Sequence, residues 1–198
     1  MNQWDKRFQE ELYVYGTEPN EFIREFAHVF KERSTIAAYA EGEGRNAVYL
    51  AMAGHDVVAY DYAASGLEKT KRLAELNDVA VDTVLTDLLT ATLPTEEYDG
   101  AILVFGHFAR ADQYEVLSKI IQSVKKDGVF LLEVYGEQQL QYNTGGPKSI
   151  DWLYDGQELK KWAQQYEMIH FFEGEQERIE GTLHTGKGYV IQLAIRKK

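Results

Sequence analysis

The chain has 198 residues, 44% of them hydrophobic, which is enough for one large core. Its formal charge of −11 argues against nucleic acid as a partner, because phosphate binding needs a basic surface. The absence of cysteine excludes disulfides, thiolate metal sites and a cysteine nucleophile, and no stretch approaches the roughly 18 apolar residues of a membrane span. The polar start, Met1 to Glu11, does not resemble a signal peptide, so a soluble cytoplasmic protein is expected.

Trp4, Phe8 and Leu12 fall at helical spacing, and Phe22, Phe26 and Phe30 share one face of a second amphipathic run, Glu21 to Lys31. Gly16 and Pro19 break the chain between them, and Asn20 is placed to cap the second helix. Tyr13 and Tyr15 flank that break, where they either pack or touch a ligand. Residues 1–33 therefore read as a helical cap on a single domain whose core is 34–198.

From there the chain alternates. Strands are expected at 35–40, 56–61, 81–86, 98–105 and 128–135, and helices at 45–53, 65–76 and 112–125. In the last helix Val116, Leu117, Ile120, Ile121 and Val124 face inward. Such alternation predicts a mostly parallel sheet with helices on both faces. Residues 137–153 form a polar, Gly-rich loop long enough to suggest function. A helix at 157–165 precedes strands at 168–172 and 189–195, joined by a charged loop holding Arg178, Gly181 and His184. Two successive strands without a helix imply an antiparallel pair.

The most informative stretch is AEGEGRN, residues 40–46, between the first strand and the first core helix. Gly42 and Gly44 allow a ligand to lie against bare backbone, and the helix start offers N–H groups to it. Asp61 ends the next strand, where a doubly wound fold grips a ribose hydroxyl. Together they indicate an adenosine-containing cofactor. Gly42-x-Gly44-x-x-Ala47 also fits the dinucleotide fingerprint. A dinucleotide fold, however, repeats its mononucleotide half, and here only about five parallel strands precede an antiparallel close.

That architecture resembles the class I methyltransferases that use S-adenosylmethionine: a Rossmann-like, seven-stranded, mostly parallel sheet whose last strand runs antiparallel. AEGEGRNAVYLA (40–51), Gly66-Leu67-Glu68-Lys69, QYNTGGPK (141–148), GYVIQL (188–193), Trp4-Asp5-x-Arg7-Phe8 and Tyr15-Gly16-Thr17-Glu18-Pro19 resemble one branch of them, related to the tellurite-resistance and thiopurine methyltransferases. The resemblance implies S-adenosylmethionine as cofactor, S-adenosylhomocysteine as its product, and a small-molecule acceptor such as a thiol or metalloid oxyanion. It implies a cofactor site of Tyr15, Gly16, Ala40, Glu41, Gly42, Gly44, Asn46, Asp61, Tyr62, Asp87, Leu88 and Phe105, with Asp87 facing the adenine amino group. Two positions depart from the common pattern: Ala38 replaces an acid and Ala40 the first glycine. Glu41 is then the candidate for the methionine ammonium.

Methyl transfer to a nucleophilic acceptor needs alignment and a dry pocket more than acid–base help. His107 follows the fourth strand, where an imidazole could take a proton at neutral pH or simply hydrogen-bond to backbone. His184 on the final hairpin and Tyr142 in the long loop, with Asn143 and Lys148 beside it, are the other catalytic candidates. Arg178 is either an anchor for an anionic acceptor or a solvated charge beside Glu177 and Glu180. The histidines show no metal-ligand spacing, so no metal is expected. A monomer or homodimer is expected, and a cofactor-binding module without activity is the competing reading.

Overall fold

In a computed structural model, residues 2–181 and 184–198 are described, the His184 side chain excepted. Seven strands form one sheet: β1 (Thr35–Tyr39), β2 (Asp56–Asp61), β3 (Asp82–Leu85), β4 (Tyr98–Val104), β5 (Val124–Tyr135), β6 (Glu167–Glu180) and β7 (His184–Arg196). Their order across the sheet is β3-β2-β1-β4-β5-β7-β6. The first five pair parallel, and β7 runs antiparallel between β5 and β6. The helices are α1 (Gln3–Phe8), α2 (Glu21–Phe26), α3 (Arg45–Met52), α4 (Ala64–Leu76), α5 (Gln113–Ser123) and α6 (Gly156–Ala163). No helix among the described residues is long and apolar enough to cross a membrane.

The central strands are buried on both faces, as crossover helices require. In β1, Ala37 and Tyr39 join the core beneath α5 and α6, where Val116, Leu117 and Leu159 meet them. Ile36 and Ala38 point the other way, into a core with Phe22, Leu50 and Leu67 from α2, α3 and α4. Chain order reverses between β1 and β4, so their carboxyl ends diverge and leave a crevice there.

Two expectations need correction. Leu12 lies outside α1 and is 75% exposed, so its side chain adds no apolar packing to the cap, although its carbonyl accepts from Lys69 at 2.7 Å. The charged stretch between the last strands is itself strand: β6 runs on to Glu180 and pairs with β7 to its start. It escapes a hydropathy reading because the usual pattern is reversed at its end, with charges facing inward and Ile179 outward. Glu175, Glu177 and Ile179 are exposed, while Arg178 and Glu180 between them are buried.

Those inward charges belong to a brace that ties both chain ends to the crevice. Asn20 caps α2 by accepting the Ile23 N–H at 3.1 Å. Its Nδ2 donates to Glu133 of β5 at 2.8 Å and to Glu180 of β6 at 3.0 Å. Glu180 also pairs with Arg45 at 2.8 Å, and Glu133 accepts from Gln192 at 2.6 Å and faces Arg178 at 3.4 Å. Burial pushes the Glu133 carboxyl above its ordinary range, against the pull of Arg178. Because Asn20 supplies a helix cap and satisfies two buried carboxylates, Asn20→Ala should destabilise the protein by about 2–4 kcal/mol. Equilibrium urea unfolding measures this; a loss below about 1 kcal/mol would show that the brace reorganises without it.

Candidate active site

Both strands that border the crevice end in a non-glycine residue with left-handed backbone: Ala40 at φ 50 after β1, and Phe105 at φ 54 after β4. Such residues carry strain that the surrounding structure must hold, and they cluster at functional sites. Ala40 stands where the common loop has glycine, and it adopts the conformation glycine would supply.

Beyond Ala40 the loop is fixed by side chains. Glu41 Oε1 accepts the N–H groups of Asn46 at 2.9 Å and Ala47 at 2.8 Å, so the loop caps its own helix. The first-turn N–H groups are therefore not all open to a ligand, as the glycine pattern alone suggested. Glu41 Oε2 has no partner among the described residues. Burial pushes the Glu41 carboxyl up to about 7, opposed by those N–H groups and by Arg45, and raised further by Asp61. Asp61 accepts the Gly42 N–H at 2.8 Å on one oxygen and the Ala63 N–H at 2.8 Å on the other. Burial raises its pKa too, against these hydrogen bonds. A buried carboxylate, Asp61, and a half-buried one, Glu41, at one end of a cavity favour a cationic ligand.

The cavity measures about 720 Å³, within the range of small-molecule sites. Every residue expected on the cofactor side except Gly44 lines it: Tyr15, Gly16, Ala40, Glu41, Gly42, Asn46, Asp61, Tyr62, Asp87, Leu88 and Phe105. Asp87 is exposed and holds the Leu89 N–H at 3.0 Å, with Leu88 buried beside it. Gly44 instead faces α4. A Cβ there would lie 2.7 Å from Thr70, at φ 92, so its role is close packing of the loop on that helix. Thr70 Oγ1 donates to the Gly42 carbonyl at 3.1 Å, which completes the attachment.

Helix α1 roofs this end, a role the aromatic spacing did not reveal. Gln3, Trp4, Arg7 and Phe8 line the cavity, and the Phe8 ring lies against Gly42 and Gly66. Asp5 pins the helix by accepting from Ser65 N at 3.2 Å and Ser65 Oγ at 3.2 Å. The opposite end is lined by Phe105, His107, Phe108, Gly146, Pro147, Lys148, Ser149 and Trp152, so the long loop does reach the cavity. His107 stacks on Tyr135 with centroids 5.6 Å apart. Burial holds the His107 imidazole down at about 4, although the Trp152 backbone opposes this. The imidazole is therefore in its neutral form at neutral pH, the form common to both roles expected from its position, proton acceptor and hydrogen-bonding group.

The other candidates divide. Tyr142 lies outside the cavity lining and donates to Glu175 on β6. The His184 side chain lies outside the described residues. Arg178 is buried, with its guanidinium 4.8 Å from the Phe105 ring centroid and 5.3 Å from that of Tyr135. It supports the wall of the cavity from behind and does not line it. No cluster of three metal-binding side chains occurs among the described residues.

The sheet order, the reversed last strand and this crevice define the class I S-adenosylmethionine-dependent methyltransferase fold. Residues 36–128 match the family model described as a methyltransferase domain. That match covers a little under half of the chain. Among solved structures it is similar to TehB from Haemophilus influenzae, at a TM-score of 0.74 and 17% identity over 98% of this chain and 66% of that one. A SAM-dependent methyltransferase from Anabaena variabilis gives 0.69 and 16% over 98% and 92% of the two chains. A putative methyltransferase from Bacillus halodurans gives 0.68 and 16% over 90% and 99%. The chain thus spans less than two thirds of TehB, and at these identities the likeness is one of fold. No curated protein matches.

The residues present fit the cofactor. Asp61 retains lone pairs for ribose hydroxyls, Glu41 Oε2 is open to an ammonium, and Asp87 lines the same cavity. The packing role of Gly44 is testable by stability. Gly44→Ala should cost about 2–4 kcal/mol, combining a left-handed residue with a contact against helix backbone. Gly54→Ala, at the same φ 92 but with nothing within 4 Å, should cost only about 1 kcal/mol. Equal unfolding midpoints for the two variants would show that the loop does not press on α4.

Proposed function

We propose that the protein transfers a methyl group from S-adenosylmethionine to a small-molecule acceptor that arrives already nucleophilic, such as a thiolate or an oxyanion. One observation carries the reading: a single cavity has buried carboxylates at the glycine-loop end and a neutral histidine, a lysine and aromatic rings at the other. Bound cofactor supplies an electrophilic methyl group on a sulfonium. Asp61 grips the ribose, Asp87 faces the adenine edge, and Glu41 takes the ammonium. Phe105 and His107, held in place by Tyr135, wall the space for the acceptor, and the 146–149 loop closes it. A base of pKa about 4 draws little proton from a thiol, so His107 acts as a hydrogen-bonding and packing group. What remains is alignment and exclusion of water, which this kind of transfer needs most.

Calorimetric titration should show binding of S-adenosylhomocysteine and S-adenosylmethionine but not of NAD. Asp61→Ala should weaken both adenosine ligands by about 1.5–3 kcal/mol. Unchanged affinity would remove Asp61 from the site, and absence of turnover against thiols, amines and oxyanions would leave a binding module in place of an enzyme.

The pH dependence follows from the imidazole. Its pKa is lowered to about 4, so between pH 5.5 and 9 it stays neutral and contributes no limb to the rate. With a thiol acceptor the rate should instead rise through the ionisation of that thiol, and His107→Asn should keep the same profile. A limb near pH 6.5 that disappears in His107→Asn would restore the histidine as general base.

A further inference from the structure

The charges that line the cavity are not spread evenly. Its acids, Glu41, Glu43, Asp61 and Asp87, come from the glycine loop, the end of β2 and the turn after β3. None comes from residues 104–108 or 146–152. The lining cations are Arg7, Arg45 and Lys148. Arg7 donates to Tyr15 Oη at 2.8 Å on the roofed side, and Arg45 is closed off by Glu180 at 2.8 Å. The Lys148 side chain makes no hydrogen bond or ion pair among the described residues. Cations attached to the same loop or wall are already taken. Arg110, whose N–H goes to the Asp151 carbonyl, pairs with Glu137, Lys187 with Glu175 at 3.0 Å, and Arg178 with Glu133 at 3.4 Å.

The loop that carries Lys148 is fixed on both sides of it. Gly146 lies against the Tyr135 ring, where a Cβ would come within 2.8 Å. Trp152 meets the His107 imidazole through its backbone. Buried Gln139 holds the approach, donating to the Gly145 carbonyl at 3.1 Å and accepting the Tyr189 N–H at 2.7 Å. Lys148 stands between these attachments, at the end of the cavity with the rings. Phe105 and His107 lie 4.6 and 5.6 Å from Tyr135, and the planes of the three rings differ by 8–26°. They make a flat wall, to which Phe108, Pro147 and Trp152 add apolar surface. An unpaired ammonium beside flat apolar faces suits a ligand that is itself flat, apolar and anionic.

The formal charge of −11 repels anions at long range, but salt screens that field beyond about 10 Å. Closer in, the acid-free wall and Lys148 decide what is admitted. Resting on the methyl-transfer reading above, we propose that the acceptor is a small aryl acid. Its ring carries the nucleophile, and a carboxylate or sulfonate that does not react is received by Lys148. The acceptor's lone pair forms the bond to the methyl carbon as the sulfonium C–S bond breaks, and that electron pair stays on sulfur. The acceptor's own proton has passed to solvent beforehand, and its acid group is unchanged. Lys148 sets specificity and touches no reacting atom.

Two matched pairs test this: para-mercaptobenzoate against para-mercaptobenzamide as acceptors, and their S-methylated products as ligands of the S-adenosylhomocysteine complex. The members of each pair differ by one negative charge. Lys148 is exposed, so its substitution does not disturb the core. The parent should prefer the acid by about five- to tenfold, in product affinity and in KM more than in kcat, as expected for a partly exposed contact between charged groups. Lys148→Gln should abolish the preference, Lys148→Glu should reverse it, and Lys148→Arg should keep it. S-adenosylhomocysteine should bind all four proteins equally. Absence of the preference in the parent, or its survival in Lys148→Gln, would overturn the proposal. So would equal losses for acid and amide in Lys148→Gln, because the lysine would then act only through the loop. Discrimination between the products without turnover of either thiol would instead overturn the methyl-transfer reading and leave the anion site standing.

Discussion

The Asp61 carboxylate joins the two loops that it lies between. One oxygen holds the Gly42 N–H of the glycine loop, and the other holds the Ala63 N–H at the start of α4. These bonds are made in a site where the carboxylate is almost wholly buried, so they also compensate its desolvation. The ends of β1 and β2 are thereby fixed relative to each other before any ligand binds. Each oxygen keeps a lone pair for a hydroxyl. The geometry of the cofactor end follows from this arrangement, because Glu41 and Gly42 can adopt their positions only while the loop is held.

The rest of the molecule locks that loop from outside. Thr70 takes the Gly42 carbonyl, Lys69 takes Glu43, and Arg45 reaches Glu180 on the far hairpin. Removing one member of such a buried ionic group is costly because its partner remains as an unpaired charge. The charges are not a concession to solubility. They hold the residue 13–20 segment, the glycine loop and the last two strands at one point. Trp4, Phe8 and Tyr15 add an aromatic cluster above them, with centroids 5.7–6.4 Å apart.

Much of this was legible in the sequence, and the parts that were not have physical reasons. The alternation of strands and helices, Asp61 and the glycine loop came from local patterns: period two, period 3.6, and turn residues at fixed spacing. The true length of β6 did not, because its inward face there is Arg178 and Glu180, and an ion pair looks like surface until its partners are known. Gly44 matched a motif, but its backbone conformation serves packing against Thr70, which no local spacing reveals. His107 was found by position after β4, yet its basicity depends on burial beside Tyr135 and Trp152, residues remote in the chain. The roof of the cavity was visible only as amphipathic spacing at Trp4 and Phe8. That Arg7 lines the cavity depends on where α1 lies.

The bonds of Asn20 span 113 and 160 positions of sequence. A nascent chain makes Asn20 well before Glu180, so this contact closes only after β1 to β5 have been synthesised. Loop closure over such a distance is entropically slow and is rewarded only once β5, β6 and β7 have paired. The brace around Asn20 is therefore late to consolidate. Until then the glycine loop lacks its Arg45–Glu180 anchor, while Phe8 already has Gly42 and Gly66 to cover. A translation intermediate released before residue 180 would hold most of the parallel sheet and the α1 roof, with Asn20 and Arg45 still lacking their Glu180 partner.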